Sequence, residues 1–272
     1  MSWISLRITP DSNRDGVIAA LFESGSQGVQ EDGASVVTHF PANARIDDIR
    51  DAVMTADPRA DIAVSESPET DYSEWRASVS AHRVGKLVIA PPWLAGEFDP
   101  QSTIVVDPAM AFGTGEHATT RGVMRLMQGV VRPGDVVADL GAGSGALSIA
   151  AARLGASRVV AIEIDHDSIG NAEENVRANG VTGRVEVIEG DAATLLPLLA
   201  PVRVVLANIV SSVLIALLPT IRASLDARGQ AILAGILCEE RDDMLAAIDA
   251  DGWVVEREDT EDAWWSVQIA PR

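Results

Sequence analysis

Short apolar runs alternate with amphipathic segments from Thr103 to the end of the chain. Apolar runs bounded by turn residues are typical of buried parallel strands, and apolar positions at helical spacing indicate crossover helices. The predicted strands are Val136–Leu140, Arg158–Ile164, Arg184–Ile188, Val202–Asn208, Gln230–Leu237 and Trp264–Ile269. The predicted helices include Ser168–Asn179, Ser211–Leu225 and Glu239–Asp249. This alternation predicts an α/β fold with a doubly wound, Rossmann-like sheet over residues 101–272.

The first 66 residues have a different pattern, in which short strands and two helices predict a small α+β domain. Asp11 is the predicted N-cap of the first helix, which runs to about Ser24. The other predicted elements are the strands Trp3–Thr9, Gly28–Glu31, Ser35–Phe40 and Ala60–Glu66 and the helix Ile46–Ala56. This order is typical of a ferredoxin-like sandwich. Residues 67–100, rich in proline, are the predicted linker, with a short helix at Tyr72–Arg76 and a strand at Lys86–Ala90.

Composition and charge narrow the class of partner. The chain has 272 residues, and 21 basic against 40 acidic side chains give a formal charge of −19. Such a surface repels nucleic-acid phosphates and favours a basic protein partner, although acidity alone also keeps a protein in solution. We therefore expect no direct binding of nucleic acid. The sequence carries no signal for oligomeric state, and a monomer is the default expectation.

Cysteine usage and hydropathy bear on the compartment. Cys238 is the sole cysteine, which excludes an internal disulfide and favours a reducing compartment. The N-terminus lacks the pattern of a signal peptide, and no apolar run reaches the ~20 residues of a membrane span. The four histidines lack metal-ligand spacing, so we expect no metal. These features predict a cytoplasmic protein.

A glycine-rich elbow follows the strand Val136–Leu140. Glycine permits positive φ and lets a ligand approach backbone N–H groups at the start of the next helix. Gly141, Gly143 and Gly145 fit the spacing of S-adenosylmethionine sites. The looser dinucleotide fingerprint is also satisfied, with Ala146 in the last position. The elbow alone leaves both ligands open.

Polar residues stand at the ends of four predicted strands, where ligands bind in such sheets. Glu163 follows Gly141 by 22 positions, where a carboxylate accepts ribose hydroxyls. Asp139 is placed to hold the α-ammonium of an amino acid, which favours S-adenosylmethionine, and Asp191 to meet an adenine edge. Asn208 is placed to orient an incoming amine through its carbonyl oxygen, with a helix cap as the alternative. The alternatives are that Glu163 is a solvated acid at a strand end, that Asp139 merely accepts loop N–H bonds, and that Asp191 is an ordinary loop acid.

A second polar, glycine-containing loop precedes the central strand over residues 107–120. Its sequence includes Ala111-Phe112-Gly113-Thr114-Gly115 and ends in His117-Ala118-Thr119-Thr120. Glycines together with hydroxyl and imidazole groups predict a loop that folds over a ligand.

These motifs, with Asp139–Gly145 and Ala207-Asn208-Ile209, resemble the ribosomal protein L11 methyltransferase family (PrmA) over nearly the whole chain. The resemblance implies a seven-stranded methyltransferase domain, an N-terminal substrate-recognition domain, S-adenosylmethionine as cofactor, and methylation of the α-amine and lysine ε-amines of a basic ribosomal protein. Asn208 and His117 are the candidate catalytic residues. The candidate cofactor-binding residues are Phe112, Gly113, Thr114, Thr120, Asp139, Gly141, Gly143, Glu163, Asp191 and Asn208. The chain has Glu163 where the family usually has aspartate.

Other functions are compatible with the same motifs. A class I methyltransferase acting on another protein or a small-molecule amine is the nearest alternative. Asn208 is followed by Ile209-Val210 rather than by Pro-Pro-aromatic, which disfavours methylation of a base. A dehydrogenase and a cofactor-binding scaffold without turnover are the remaining hypotheses.

Overall fold

The computed structural model describes residues 3–26, 29–41, 44–67, 79–107, 113, 115 and 117–272. Contacts divide the chain into two units, Met1–Ser78 and Val79–Arg272. Among the described residues, no helix is long and apolar enough to cross a membrane. The predicted helix at Tyr72–Arg76 lies outside the described residues.

The first unit contains a four-stranded antiparallel sheet and two helices. Its elements are β1 (Trp3–Thr9), α1 (Arg14–Glu23), β2 (Val29–Asp32), β3 (Ser35–Pro41), α2 (Ile46–Ala56) and β4 (Asp61–Ser67). The strand order is β2-β3-β1-β4, which is the order of a split βαβ sandwich. Leu6 and Ile8 of β1 pack with Val17 and Leu21 of α1 in the core of this unit.

The start of α1 differs from the prediction. Its N-cap is Asn13, whose side chain accepts the N–H of Gly16, and not Asp11. The Asp57 carboxylate, at the end of α2, accepts the backbone N–H groups of Asp11, Ser12 and Asn13. The backbone N–H of Asp11 thus donates to Asp57, 46 positions away, and a contact between residues so far apart leaves no local sequence signal.

A small sheet begins the described part of the second unit. It has the order β5 (His82–Val84), β6 (Leu87–Ala90) and β7 (Thr103–Val105). All four side chains of β6 are buried, and its residues pair in parallel with β7. Residues 82–90 of the predicted linker therefore form strands that belong to the second unit.

The remaining elements of the second unit form three layers, with helices on both faces of a seven-stranded sheet. The helices are α3 (Ala118–Met127), α4 (Ala146–Arg153), α5 (His166–Ala178), α6 (Ala192–Leu199), α7 (Ser211–Ser224) and α8 (Arg241–Ala250). The strands are β8 (Val136–Leu140), β9 (Arg158–Glu163), β10 (Val185–Glu189), β11 (Val202–Asn208), β12 (Leu225–Leu237), β13 (Trp253–Glu261) and β14 (Trp264–Pro271). The strand order is β10-β9-β8-β11-β12-β14-β13, with β14 antiparallel to both neighbours.

Both faces of the central strands are covered, which explains their apolar composition. Val137 packs in the cluster that includes α3, α4 and α5, and its neighbour Ala138 packs in the cluster that includes α6, α7 and α8. β8 and β11 pair in parallel at the centre of the sheet, where the strand order reverses. Ligands bind outside the carboxyl ends of strands at such a switch point. The predicted doubly wound architecture is confirmed.

Candidate functional site

The glycine elbow joins the end of β8 to α4. Gly141, Gly143 and Gly145 all have positive φ, of 70°, 52° and 78°. The N–H groups of Gly141 and Ala142 both donate to the Ile162 carbonyl of β9, at 2.8 and 3.1 Å. This conformation brings the chain off β8 and directs it into α4, whose N-cap is Gly145. The elbow therefore lies directly at the carboxyl edge of the sheet.

Asp139 is completely buried at the end of β8. Its Oδ2 accepts the Ser148 hydroxyl of α4 at 2.7 Å, and its Oδ1 has no hydrogen-bond partner among the described residues. Burial, with a smaller contribution from the charge of Glu163, raises the pKa of this carboxyl to about 6, in spite of the Ser148 bond, which lowers it. A buried acceptor without a donor is costly, so a donor is expected from a bound molecule.

Glu163 ends β9 and its carboxylate is already largely engaged. Oε2 accepts the N–H of Gly143 at 2.8 Å, and Oε1 accepts those of Ile164 and Asp165 at 2.8 and 2.9 Å. A carboxylate offers about four acceptor positions, so one remains, on Oε2. Glu163 thus orders the elbow itself and leaves room for one further donor. The sequence predicted two ribose contacts, and this arrangement favours one.

Asn208 ends β11, beside β8. Its Nδ2 lies 3.5 Å from the Thr120 hydroxyl, and its Oδ1 is buried without a hydrogen-bond partner in the described part of the chain. Asn208 does not cap α7, because the N-cap of that helix is Val210. The amide oxygen is therefore available to accept a hydrogen bond from a molecule in the crevice.

Ile209 fixes the backbone that follows Asn208. A Cβ at Gly141 would lie 2.3 Å from the Ile209 side chain, and one at Gly235 of β12 would lie 2.3 Å from the Ile209 carbonyl oxygen. The N–H of Ile209 also donates to the Ala234 carbonyl at 3.1 Å. Ile209 is thus held between Gly141 of the elbow and Gly235 of β12, and these contacts set the position of Asn208.

The loop before α3 reaches the elbow through Gly113. The Ser144 hydroxyl, which is fully buried, donates to the Gly113 carbonyl at 3.1 Å. Gly113 and Gly115 have φ of 103° and 89°, which explains the glycines. The predicted site residues Phe112 and Thr114 lie outside the described residues.

His117 ends the loop but does not line the pocket beside Asn208. It is the N-cap of α3, and its Nδ1 lies 2.7 Å from the Thr119 hydroxyl. Its ring packs edge-on against Trp264, with centroids 4.7 Å apart. Burial, with a smaller contribution from the Arg121 charge, lowers the pKa of His117, so the imidazole is neutral at pH 7. The predicted loop to Thr120 thus ends earlier, because α3 begins at Ala118.

A narrow pocket joins the loop, the elbow and the end of β11. Its lining residues are Gly113, Thr120, Gly141, Ala142, Ser144, Ala146, Leu147 and Asn208. Thr120 is completely buried in the first turn of α3. Four predicted site residues therefore meet here, although they are spread over some 95 positions of the sequence. Ser144 and Ile209 were not predicted, since a small hydroxyl and an aliphatic side chain give no chemical signal.

An apolar groove of about 490 Å³ lies on the other side of the elbow, where it is lined by the end of β9, the turn after β10, and helices α6 and α7. It is lined by Gly141, Ile162, Ile164, Gly190, Asp191, Ala192, Ala193, Ile209, Ser212, Val213, Ala216 and Leu217. Asp191 caps α6, its Oδ1 accepting the Ala193 N–H at 3.0 Å. Ile164 and Val213, which are 71% and 44% exposed, give the groove an accessible apolar surface. The groove offers an apolar surface with one carboxylate at its margin.

Comparison with known proteins identifies related chains. The family model described as ribosomal protein L11 methyltransferase (PrmA) matches residues 3–271. The ribosomal protein L11 methyltransferase of Thermus thermophilus is 32% identical over 250 residues, which covers 92% of each chain. That of Myxococcus xanthus is 34% identical over 250 residues, covering 90% of this chain and 84% of the relative.

A solved structure is similar to part of the chain. The crystal structure of a ribosomal protein L11 methylase from Lactobacillus delbrueckii subsp. bulgaricus superposes with a TM-score of 0.63. It is 29% identical, and the match covers 71% of this chain and 100% of that one.

Proposed function

This chain belongs to the ribosomal protein L11 methyltransferase family, and from that premise we propose that it methylates the α-amino group and lysine ε-amino groups of ribosomal protein L11. Its methyl donor is S-adenosylmethionine. The observation that carries the choice of an amine is the buried, unpartnered amide oxygen of Asn208 beside the glycine elbow. An amine N–H is the donor that this oxygen lacks.

The described residues fit the cofactor. Asp139 Oδ1 would accept the α-ammonium, and the remaining position on Glu163 Oε2 would accept a ribose hydroxyl. The groove between Ile164 and Val213 suits a flat apolar base, with Asp191 at its margin for the exocyclic amine. Gly141 and Gly143 would let the cofactor approach the backbone closely. Gly113 and Thr120, which are also predicted cofactor contacts, line the pocket beside Asn208.

Bound S-adenosylmethionine supplies an electrophilic methyl group on a sulfonium, so the protein's part is to present a neutral amine in line with it. Deprotonating a lysine with a pKa near 10.4 costs about 4–5 kcal/mol at pH 7, and an α-amine near 8 costs about 1 kcal/mol. Removal from water lowers the pKa of either amine. Asn208 would orient the amine through its carbonyl oxygen, with the Thr120 hydroxyl holding the opposite end of the amide.

His117 is the second candidate catalytic residue, as a proton acceptor. Its lowered pKa favours the neutral imidazole, the form that accepts a proton, but also makes that imidazole a weaker base. Its contacts with Thr119 and Trp264 also support a purely structural role as an N-cap. The proposal needs no dedicated base, because loss of the proton to water precedes attack by the neutral amine.

The proposed recognition of L11 rests on charge and on the N-terminal unit. The formal charge of −19 suits a basic partner, and the predicted domain over residues 1–66 carries no candidate catalytic residue. We expect the KM for L11 to rise with salt while the Kd for the cofactor stays nearly constant, because only the protein–protein contact depends on many exposed charges.

The test is mass spectrometry of L11 after incubation with this protein and S-adenosylmethionine. We expect added methyl groups on the N-terminus and on lysines. Asn208→Ala should lower kcat about 100-fold and weaken cofactor binding less than that, since it removes an orienting contact to the amine as well as one predicted cofactor contact. Asn179→Ala is the control, because this buried amide holds the β7 backbone at Val105 and should affect stability alone.

Two outcomes would contradict the proposal. Methylation of other proteins or of small amines, with L11 left unmodified, would favour the alternative of a class I methyltransferase with another substrate. Normal turnover by Asn208→Ala would show that the amide does not position the amine.

A further inference from the structure

Arg121, in the first two turns of α3, connects the loop before that helix to the end of β13. Its Nη1 donates to the Gly115 carbonyl at 2.8 Å. Its Nε and Nη2 both donate to Glu261 Oε1, at 2.9 and 2.5 Å. The side chains are 15% and 29% exposed, so water competes weakly for these bonds. One guanidinium therefore joins two segments that are far apart in the sequence.

The carbonyl that Arg121 holds belongs to a tightly packed residue. Gly115 has φ of 89°, and a Cβ there would lie 2.4 Å from Ile89 of β6. On one side of Gly115, Gly113 is bound to Ser144 of the elbow, and on the other, His117 packs against Trp264 at the start of β14. Arg121 thus fixes Gly115, two residues from Gly113, which lines the pocket beside Asn208.

Arg125, one turn further along α3, offers a natural comparison. It binds Asp259 through Nε and Nη2 at 2.8 and 2.6 Å, and Glu261 Oε2 at 2.6 Å. Arg121 and Arg125 therefore share Glu261 and the same strand. Within the described part of the chain, the side-chain bonds of Arg125 are all with β13, whereas Arg121 also bonds Gly115. Both arginines bond α3 to β13, and among the described residues only Arg121 of the two also bonds the loop before α3, at Gly115.

We propose that Arg121 and Glu261 are positioning residues that hold the loop through Gly115 in its cofactor-binding conformation. This inference rests on the proposed function, because it concerns the affinity of the same crevice. Glu261 orients the guanidinium, and the guanidinium orients the Gly115 carbonyl. Arginine suits this role because its planar fork bonds two acceptors at once, whereas a lysine presents a single ammonium.

The experiment compares Arg121→Met with Arg125→Met in the full chain. Both substitutions remove a guanidinium that binds Glu261, and both should lower the melting temperature. Arg121→Met should also raise the Kd for S-adenosylhomocysteine about tenfold by calorimetry, because the loop must then be ordered on binding. Amide hydrogen exchange over residues 113–120 of the free protein should become faster in Arg121→Met and stay unchanged in Arg125→Met.

The conservative variants separate positioning from simple stabilisation. Arg121→Lys should recover part of the affinity, since it keeps one of the two contacts, and Glu261→Gln should weaken binding less than Arg121→Met. Equal Kd values for Arg121→Met and the wild type, or an equal rise in Arg125→Met, would overturn the inference. Failure of the wild-type protein to bind S-adenosylhomocysteine would instead contradict the proposed function.

Discussion

The substitution Asp139→Asn tests the buried carboxylate at the end of β8. Asparagine preserves the shape of the side chain, and its Oδ1 can still accept the Ser148 hydroxyl that Asp139 accepts at 2.7 Å. It removes the charge that the crevice is proposed to pair with the ammonium of the cofactor. Above pH 6 the substitution should therefore raise the free energy of unfolding of the free protein and lower its affinity for the cofactor.

The expected size follows from the pKa. Asp139 has a pKa of about 6 in the folded chain against 3.8 for an unperturbed aspartate. At 1.36 kcal/mol per pKa unit, ionised Asp139 destabilises the free protein by about 3 kcal/mol well above pH 6. Because the folded pKa is raised, this group favours the folded state most below pH 3.8, and that contribution is lost as the pH rises through 6. At pH 5 about half of the destabilisation is present.

Urea unfolding of both proteins at pH 5 and pH 8 measures the effect. The unfolding free energy of Asp139→Asn minus that of the wild type should be about 1.5 kcal/mol larger at pH 8 than at pH 5, so the variant gains stability relative to wild type as the pH rises. The desolvation of the new amide does not change with pH, so it cancels in this comparison. Calorimetry at pH 7.5 should show at least about a tenfold loss of S-adenosylhomocysteine affinity. A stability difference independent of pH would refute the reasoning.

Two further predictions concern the residues around Asn208. Gly235→Ala should lower the free energy of unfolding by about 2 kcal/mol, because it places a side chain at φ of 86° and a Cβ 2.3 Å from the Ile209 carbonyl oxygen. The same substitution should lower kcat, because it displaces Asn208. Gly252→Ala is the control for backbone strain, since Gly252 also has positive φ but an added Cβ would have no heavy atom closer than 3.5 Å. His117→Asn keeps an N-cap side chain and should retain most of kcat in a methylation assay, whereas a large loss without a change in cofactor Kd would identify His117 as the proton acceptor.

The central part of the fold could be predicted because its strands are buried on both faces. Val202–Asn208 coincides with β11, and the predicted strand Val136–Leu140 coincides with β8. The edge strand β13 was not predicted, since five of its nine residues, Glu256, Glu258 and Glu261 among them, are charged. Helix α6 was also missed, and it contains Pro197, which argues against a helix in the sequence.

Some features of the candidate site could likewise be predicted from the sequence, and others could not. Parallel strands bring their carboxyl ends together, so Asp139, Glu163 and Asn208 could be placed at one edge from sequence order alone. The bond between Arg121 and Glu261 spans 140 positions and joins a helix to an edge strand. Nothing in the local pattern of either segment indicates it. The raised pKa of Asp139 could not be predicted either, because it follows from the complete burial of the carboxyl, which only the structure shows.

A crystal structure of this protein with S-adenosylhomocysteine tests the central claim most directly. The account predicts the amino group within hydrogen-bond distance of Asp139 Oδ1, a ribose hydroxyl on Glu163 Oε2, and the adenine in the groove beside Ile164. The Asn208 amide oxygen should face the sulfur side of the ligand. Binding at any other place, or a ligand that leaves Asp139 and Glu163 without contact, would contradict it.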